Sequence, residues 1–231
     1  MRIGSIIDIS LVDVPGIPVT VVFTAGCNFD CSYCQNAQII PRSSGTDMPI
    51  QAIVKKTQGS LSSGCCITGG EPTIHRDLPQ LLKQLRQKED YHLNLNTQGS
   101  MPEVLKNCLP YLDSVWFDIK ADPIRYREVV RTPNDPWPKV RESIDLVMSS
   151  DAAFWPRTTY AGNLLSNRDI RAILELLEKV GYQGEYVMQK YVASAGTRKA
   201  EAARLRVPTR EEIESLARDT PPGIKMRLEL F

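Results

Sequence analysis

Hydrophobic and polar positions along this chain follow two periodicities in turn. Short β-branched or alternating apolar runs, typical of strands, are separated by stretches with apolar residues three and four positions apart, typical of helices. The predicted strands are Ile17–Thr24, Gly64–Thr68, Tyr91–Asn96, Asp113–Ile119, Ala152–Thr159 and Glu185–Met188. The predicted helices are Pro49–Thr57, Leu78–Lys88, Met101–Lys106, Val140–Met148 and Ser166–Val180. This alternation predicts βαβ units and a mostly parallel sheet.

The number of βαβ units limits the possible architectures. About six fit before residue 190, fewer than the eight of a closed barrel. Neither a linker-like stretch nor a sequence repeat divides the chain, so we expect one α/β core over residues 1–190 and a basic extension packed on it over residues 191–231. Periodicity alone leaves two arrangements open, a curved incomplete barrel and an open doubly wound sheet.

Composition narrows the class of protein. The chain has 28 Lys and Arg against 27 Asp and Glu, and 42% hydrophobic residues, which excludes a disordered chain or a general polyanion binder. A membrane span needs about 20 consecutive apolar residues, and the sequence has no such run. The first residues also lack the apolar core of a signal peptide. We therefore expect a soluble, cytoplasmic protein.

The charge is not evenly distributed. The segment Lys190–Arg210 carries six basic residues and one acidic residue, Glu201. Such a run is usually a solvated face, and the alternative is a surface that docks an acidic or nucleic-acid partner.

The six cysteines divide into two groups. Cys27, Cys31 and Cys34 form the spacing C-x3-C-x2-C directly after a predicted strand, at the sheet edge where α/β proteins bind ligands. Zinc and [4Fe–4S] clusters normally take four protein ligands, so three thiolates would leave one position of a cluster open for an exogenous ligand. A zinc knuckle or a chance grouping is the alternative. For the other three we expect buried core positions: Cys65, Cys66 and Cys108.

Other polar groups follow the remaining predicted strands. Gly69-Gly70-Glu71-Pro72 combines two glycines, which allow close approach of the backbone to a ligand, with an acceptor for an ammonium group. Thr97 and Asp118 end the next two strands, and Arg157 lies inside a fifth. Taken alone, each has an ordinary explanation: a strand–helix junction, a turn, a solvated pair or an internal salt bridge.

The cysteine loop, with Tyr33 before its last cysteine, resembles that of radical S-adenosylmethionine (SAM) enzymes. The resemblance implies that Cys27, Cys31 and Cys34 bind a [4Fe–4S] cluster and that SAM chelates the open iron. Reductive cleavage of SAM then yields methionine and a 5′-deoxyadenosyl radical. It also implies SAM contacts: Tyr33 along the adenine, Gly69, Gly70, Glu71 and Pro72 at the amino group, and Arg157 at the carboxylate.

Three further segments resemble the short activases of anaerobic ribonucleotide reductase, which are glycyl-radical-enzyme activases: Ser10–Gly16, Tyr33–Asn36 and Trp116–Ala121. This resemblance implies an incomplete (β/α)6 TIM-like barrel, Thr97 and Asp118 in the SAM pocket, and Asp118 with Lys120 as candidate catalytic residues. In the activases, strand-end carboxylates hold a monovalent cation. Asn96 and Gln98 depart from that pattern, which puts the cation site in doubt.

The resemblance also implies partners. Ferredoxin or flavodoxin would donate the electron, and the radical would abstract a hydrogen from a glycine of a glycyl radical enzyme. Two alternatives stay open: a radical SAM enzyme that modifies RNA or a small molecule, and a non-enzymatic zinc-binding interaction module. The basic segment fits RNA, because phosphate contacts come from Lys and Arg.

Overall fold

A computed structural model describes residues 1–229 of the chain as an α/β fold. The strands are β1 (Arg2–Ser10), β2 (Val19–Thr24), β3 (Thr46–Asp47), β4 (Gly64–Gly69), β5 (His92–Thr97), β6 (Ser114–Asp118), β7 (Ala153–Tyr160), β8 (Gly184–Lys190) and β9 (Ile224–Glu229). The helices are α1 (Ile50–Gln58), α2 (Leu78–Leu85), α3 (Pro102–Cys108), α4 (Tyr126–Val130), α5 (Trp137–Met148), α6 (Asn167–Lys179), α7 (Lys199–Ala202) and α8 (Arg210–Leu216).

The strands form a nine-stranded sheet in the order β3-β1-β2-β4-β5-β6-β7-β8-β9. Pairing is parallel between β2 and β4, β4 and β5, β7 and β8, and β8 and β9, and antiparallel where β1 meets β2 and β3. The predicted fold class, an α/β fold of the incomplete (β/α)6 TIM-like barrel type with a mostly parallel sheet, is confirmed.

The chain divides into two compact units. The first comprises residues 1–28, 38–116 and 139–154. In it, β2 pairs with β4 from Val19–Gly64 to Thr24–Gly69, and β4 continues in register with β5. The carboxyl ends of these three strands therefore lie at one edge. Helix α2 buries the predicted apolar stripe: Leu78, Leu81, Leu82 and Leu85.

The second unit comprises residues 29–37, 117–138 and 155–231, of which 230 and 231, the end of the predicted extension, lie outside the described residues. Its strands β7, β8 and β9 pair in parallel. Helix α6 begins with a capping box, in which Ser166 and Asp169 satisfy each other's backbone N–H groups. Its Asp169 also accepts two hydrogen bonds from Arg125, at 2.8 and 3.0 Å.

All six predicted strands and five predicted helices are present, with ends shifted by a few residues. Three strands were not predicted: β3 consists of two exposed polar residues, and the apolar side chains of β1 and β9 do not mark a buried face. Only Ile3 is buried in β1, where Ile7 and Ile9 are 46% and 44% exposed, and only Ile224 is buried in β9. Within residues 1–229, no helix is long and apolar enough to cross a membrane.

Candidate cluster and cofactor site

The predicted site residues fall in both units, whose boundary runs through the cysteine loop after Asn28. The first unit holds Cys27, Gly69, Gly70, Glu71, Pro72 and Thr97. The second unit holds Cys31, Tyr33, Cys34, Asp118, Lys120 and Arg157.

Backbone hydrogen bonds fix the entry to the cysteine loop. Gly26 N donates to Ile39 O at 2.8 Å, and Cys27 N donates to Ile40 O at 2.9 Å. His75, which the sequence did not single out, places Nε2 3.1 Å from Ala25 O, and since a carbonyl only accepts, this nitrogen carries the proton. Burial lowers the pKa of His75, so the ring is neutral and acts as a local brace.

The two glycines of the Gly-Gly-Glu-Pro segment are required by the protein's own backbone. Gly69 has φ +122°, and a Cβ there would lie 2.3 Å from Thr24 N. A Cβ on Gly70 would lie 2.0 Å from Gly26 O. Two backbone hydrogen bonds join the end of β4 to the residues after β2: Gly70 N donates to Thr24 O at 3.0 Å, and Glu71 N donates to Gly26 O at 2.9 Å. The glycines therefore let the end of β4 close onto the residues that precede Cys27, a role not anticipated from the sequence.

Glu71, expected to offer an open acceptor, is 1% exposed, and its carboxylate already receives four hydrogen bonds. Thr73 Oγ1, Thr97 Oγ1 and Thr73 N donate to Oε1 at 2.5, 2.6 and 3.0 Å. Gln98 N donates to Oε2 at 2.9 Å. Burial raises the pKa of Glu71 and outweighs these bonds, which lower it. Glu71 therefore joins the ends of β4 and β5.

An amide network continues from this carboxylate, through the buried Gln98 and Ser100, to the exposed Asn28 that follows Cys27. Gln98 Nε2 donates to Asn28 Oδ1 at 2.9 Å and to Ser100 Oγ at 2.8 Å. Asn28 Nδ2 donates to Ser100 Oγ at 2.8 Å. Gln98, which departs from the activase pattern, therefore has a definite partner here: its side chain holds Asn28, while its backbone holds Glu71.

In the second unit, the cysteine loop is deeply buried around Cys31, Ser32 and Tyr33. Burial raises the pKa of Cys31 to about 11, and Lys120 partly opposes this rise. Burial likewise raises the pKa of Tyr33, whose ring lies 5.9 Å from Lys120 Nζ. Within the described residues, the hydroxyls of Ser32 and Tyr33 have no hydrogen-bond partner. Buried donors without partners are costly, so this loop is suited to enclosing a further polar group.

The donor chemistry of the loop fits an iron–sulfur cluster. All six cysteines are present as thiols outside any disulfide, and Cys27 and Cys34 are partly exposed. Among residues 1–229, no three His, Cys, Asp or Glu side chains converge as a ready metal-ligand group. The assignment of Cys27, Cys31 and Cys34 as cluster ligands therefore stays a prediction from their spacing and thiol chemistry.

Asp118, Lys120 and Arg157 form a compact charge cluster in the second unit. Arg157 Nε lies 2.5 Å from Asp118 Oδ1, and Lys120 Nζ lies 3.0 Å from Asp118 Oδ2. Burial disfavours the Asp118 carboxylate, but the two cations outweigh this and lower its pKa to about 2. The internal salt bridge considered for Arg157 is therefore present. Two cations around one anion leave the cluster with one net positive charge, which suits a ligand carboxylate.

The remaining cysteines occupy the core of the first unit. Cys65 and Cys66 lie in β4 and Cys108 ends α3, all with 0% exposure. Burial raises the pKa of Cys65 to about 12 and also raises that of Cys108. The thiols of Cys65 and Cys108 are therefore protonated at neutral pH, as expected for core residues.

A mostly parallel α/β sheet, a loop with three closely spaced cysteines and polar residues at the strand ends are features of α/β enzymes that bind a cofactor at the carboxyl edge of the sheet. Comparison with known families identifies which class of enzyme this is. The family model described as "Radical SAM superfamily" matches residues 21–180. The chain belongs to the radical SAM superfamily. It is therefore an enzyme, and the zinc-binding interaction module is not supported.

Individual relatives are more distant. A protein of Methanocaldococcus jannaschii, named as a glycyl-radical enzyme activating enzyme, is 25% identical over 181 residues, covering 76% of this chain and 75% of that protein. The 7-carboxy-7-deazaguanine synthase of Methanospirillum hungatei is 33% identical over 107 residues, covering 46% of this chain and 43% of that one. The crystal structure of QueE from Escherichia coli shares the fold, with a TM-score of 0.59 and 19% identity, over 98% of this chain and 93% of that chain.

Membership settles the cofactors at the level of the family: a [4Fe–4S] cluster and SAM. Together they supply reductive cleavage of SAM, which produces a 5′-deoxyadenosyl radical able to abstract hydrogen. The protein's contribution is to position these groups and to control their surroundings.

Proposed function

We propose that this chain is a glycyl-radical-enzyme activase, which generates a radical on a glycine of a partner protein such as anaerobic ribonucleotide reductase. The proposal is carried by the similarity to the Methanocaldococcus jannaschii protein, which extends over three quarters of both chains. The electron donor would be a ferredoxin or a flavodoxin.

In this proposal, the residues divide the work of placing SAM. Cys27, Cys31 and Cys34 hold the cluster, and Tyr33 lies along the adenine. The group of charged side chains formed by Arg157 and Lys120 around Asp118, with its net positive charge, binds the carboxylate of SAM.

The amino group of SAM meets the segment Gly69–Pro72. Because the Glu71 carboxylate is occupied by Thr73, Thr97 and Gln98, its part is to hold this segment in shape. The ion pair with Asp118 keeps Lys120 charged, since Asp118 raises the Lys120 pKa against the effect of burial.

The reaction balances in two transfers. With the cluster held by Cys27, Cys31 and Cys34, one electron from the reduced donor would cleave bound SAM to methionine and a 5′-deoxyadenosyl radical. Transfer of one hydrogen atom from the glycine Cα would then give 5′-deoxyadenosine and a glycyl radical on the partner.

A second candidate is a radical SAM enzyme that acts on a small molecule. It is favoured by the similarity to 7-carboxy-7-deazaguanine synthase, which extends over 46% of this chain. The RNA alternative is weakened by the basic segment itself, since three of its arginines form ion pairs within the second unit: Arg198 with Asp30, Arg206 with Glu212 and Arg210 with Glu214.

Anaerobic radical transfer tests the proposal. The reconstituted, reduced protein is mixed with SAM and an anaerobic ribonucleotide reductase, and electron paramagnetic resonance is recorded on the reductase after separation. The proposal predicts an organic radical on the reductase that requires both SAM and this chain. Formation of 5′-deoxyadenosine without any radical on the reductase would contradict it and favour the second candidate.

A further inference from the structure

The segment of residues 192–201, here called the clasp, lies in the second unit. It contacts the part of the cysteine loop that belongs to the same unit, residues 29–37. Gln35 Nε2 donates to Val192 O at 2.9 Å, and Ser194 Oγ donates to Gln35 O at 3.1 Å. Ala37 N donates to Gly196 O at 3.1 Å. The clasp is therefore hydrogen-bonded along the residues that directly follow Cys34.

Two ion pairs complete the attachment. Arg198 pairs with Asp30, the residue before Cys31, in a contact between its guanidinium and the carboxylate. Arg131 pairs with Glu201 through two hydrogen bonds of 2.6 and 3.1 Å. The bidentate geometry fixes the direction of the clasp as well as its distance.

A third segment, the end of α4, contacts both the cysteine loop and the clasp. Asp30 N donates to Val130 O at 2.9 Å, and Arg131, the next residue, holds Glu201 at the far end of the clasp. The cysteine loop, the end of α4 and the clasp are thus tied together at both flanks of Cys31 and Cys34. Charge counting alone assigned this basic segment to solvent or to an outside partner.

We propose that Arg198 is a positioning residue for the iron–sulfur cluster: through Asp30 it holds the clasp over the loop that carries Cys31 and Cys34, and so limits access of solvent to the bound cluster. The inference rests on the assignment of these cysteines as cluster ligands. It does not depend on whether the acceptor of the radical is a glycyl radical enzyme or a small molecule.

Exposure sets the size of the effect. Arg198 and Asp30 have side chains that are 36% and 49% exposed, so solvent screens their attraction. Breaking an exposed pair of this kind corresponds to a change of about threefold in a local opening equilibrium. We therefore expect a measurable loosening of the loop without loss of the fold.

A double-mutant cycle tests the proposal on the reconstituted protein. Arg198→Gln and Asp30→Asn are each expected to increase, by about threefold, the anaerobic rate of iron removal by a chelator. Amide hydrogen exchange of residues 30–37 should rise in parallel, and this second readout is also measured on the protein without its cluster. The double variant should behave like either single variant, because both remove the same contact.

Two further variants complete the test. Arg198→Lys, which retains the charge, is expected to keep iron removal close to the parental rate. Arg210→Gln breaks an exposed ion pair with Glu214 and should leave the loop unchanged. Parental exchange and chelation in both single variants would overturn the proposal, and so would effects that multiply in the double variant. Failure of the radical-transfer assay would leave this result intact.

Discussion

Replacing Glu71 by glutamine tests whether its carboxylate braces the strand ends. The amide can keep an oxygen toward the three donors that converge on Oε1, but its NH2 group then faces the Gln98 N–H. One buried donor loses its acceptor, and the remaining bonds lose their charge. Leaving a buried donor unsatisfied costs about 1–3 kcal/mol, so we expect a loss of about 2 kcal/mol in the free energy of unfolding.

Urea denaturation of the protein without cofactors measures this loss directly. The midpoint should fall with little change in the slope, because the surface exposed on unfolding stays the same. Glu89→Gln, the same change at an exposed position, should shift stability by no more than about 0.5 kcal/mol. If Glu71→Gln unfolds at the parental urea concentration, the four hydrogen bonds do not hold the strand ends as argued.

The pH dependence of the stability of this variant independently checks whether folding raises or lowers the pKa of Glu71. Burial raises the pKa of Glu71 in the folded protein above its value in the unfolded chain. The unfolded chain therefore loses the proton first, and the contribution of this group to stability declines as pH rises from about 4.5 through the folded pKa. The difference in the free energy of unfolding between the parent and Glu71→Gln should therefore decrease over that pH interval. A difference that increases with pH would show that folding lowers the pKa of Glu71.

Three other predictions follow from the site. Asp118→Asn should destabilise the protein. The difference in the free energy of unfolding between parent and variant should shrink by about 2 kcal/mol as pH falls from about 4 to about 2, because the folded pKa of Asp118 is about 2. Denaturation at a series of pH values measures this difference. Cys31→Ala should abolish the cluster absorbance and 5′-deoxyadenosine formation after anaerobic reconstitution, whereas Cys108→Ala should retain both; a parental rate in the first would refute the ligand assignment. Gly70→Ala should lower the thermal midpoint by several degrees, because its Cβ would lie 2.0 Å from Gly26 O; an unchanged midpoint in a thermal scan would count against the close approach.

The elements of the fold were predictable where burial follows a period. Helix α2 places Leu78, Leu81, Leu82 and Leu85 in the core, and this stripe is visible in the sequence. Strand β1 was not visible, because it pairs along an antiparallel edge with most of its side chains exposed. Its pairing depends on backbone hydrogen bonds, which any residue except proline provides.

The site was predictable where chemistry is tied to spacing, as in the cysteine loop. Contacts between distant residues were not. His75 braces Ala25 from 50 positions away, and Gln98 reaches Asn28 across 70. The partner of Arg198 was likewise hidden, since a local excess of basic residues does not reveal an acidic residue 168 positions earlier.

An isotope measurement tests the proposed activity most directly. Anaerobic ribonucleotide reductase is prepared with glycine carrying deuterium at Cα and mixed anaerobically with the reduced protein and SAM. If the chain is a glycyl-radical-enzyme activase, the 5′-deoxyadenosine that forms carries one deuterium, in an amount matching the radicals on the reductase. Unlabelled 5′-deoxyadenosine, with no radical on the reductase, would contradict the proposal.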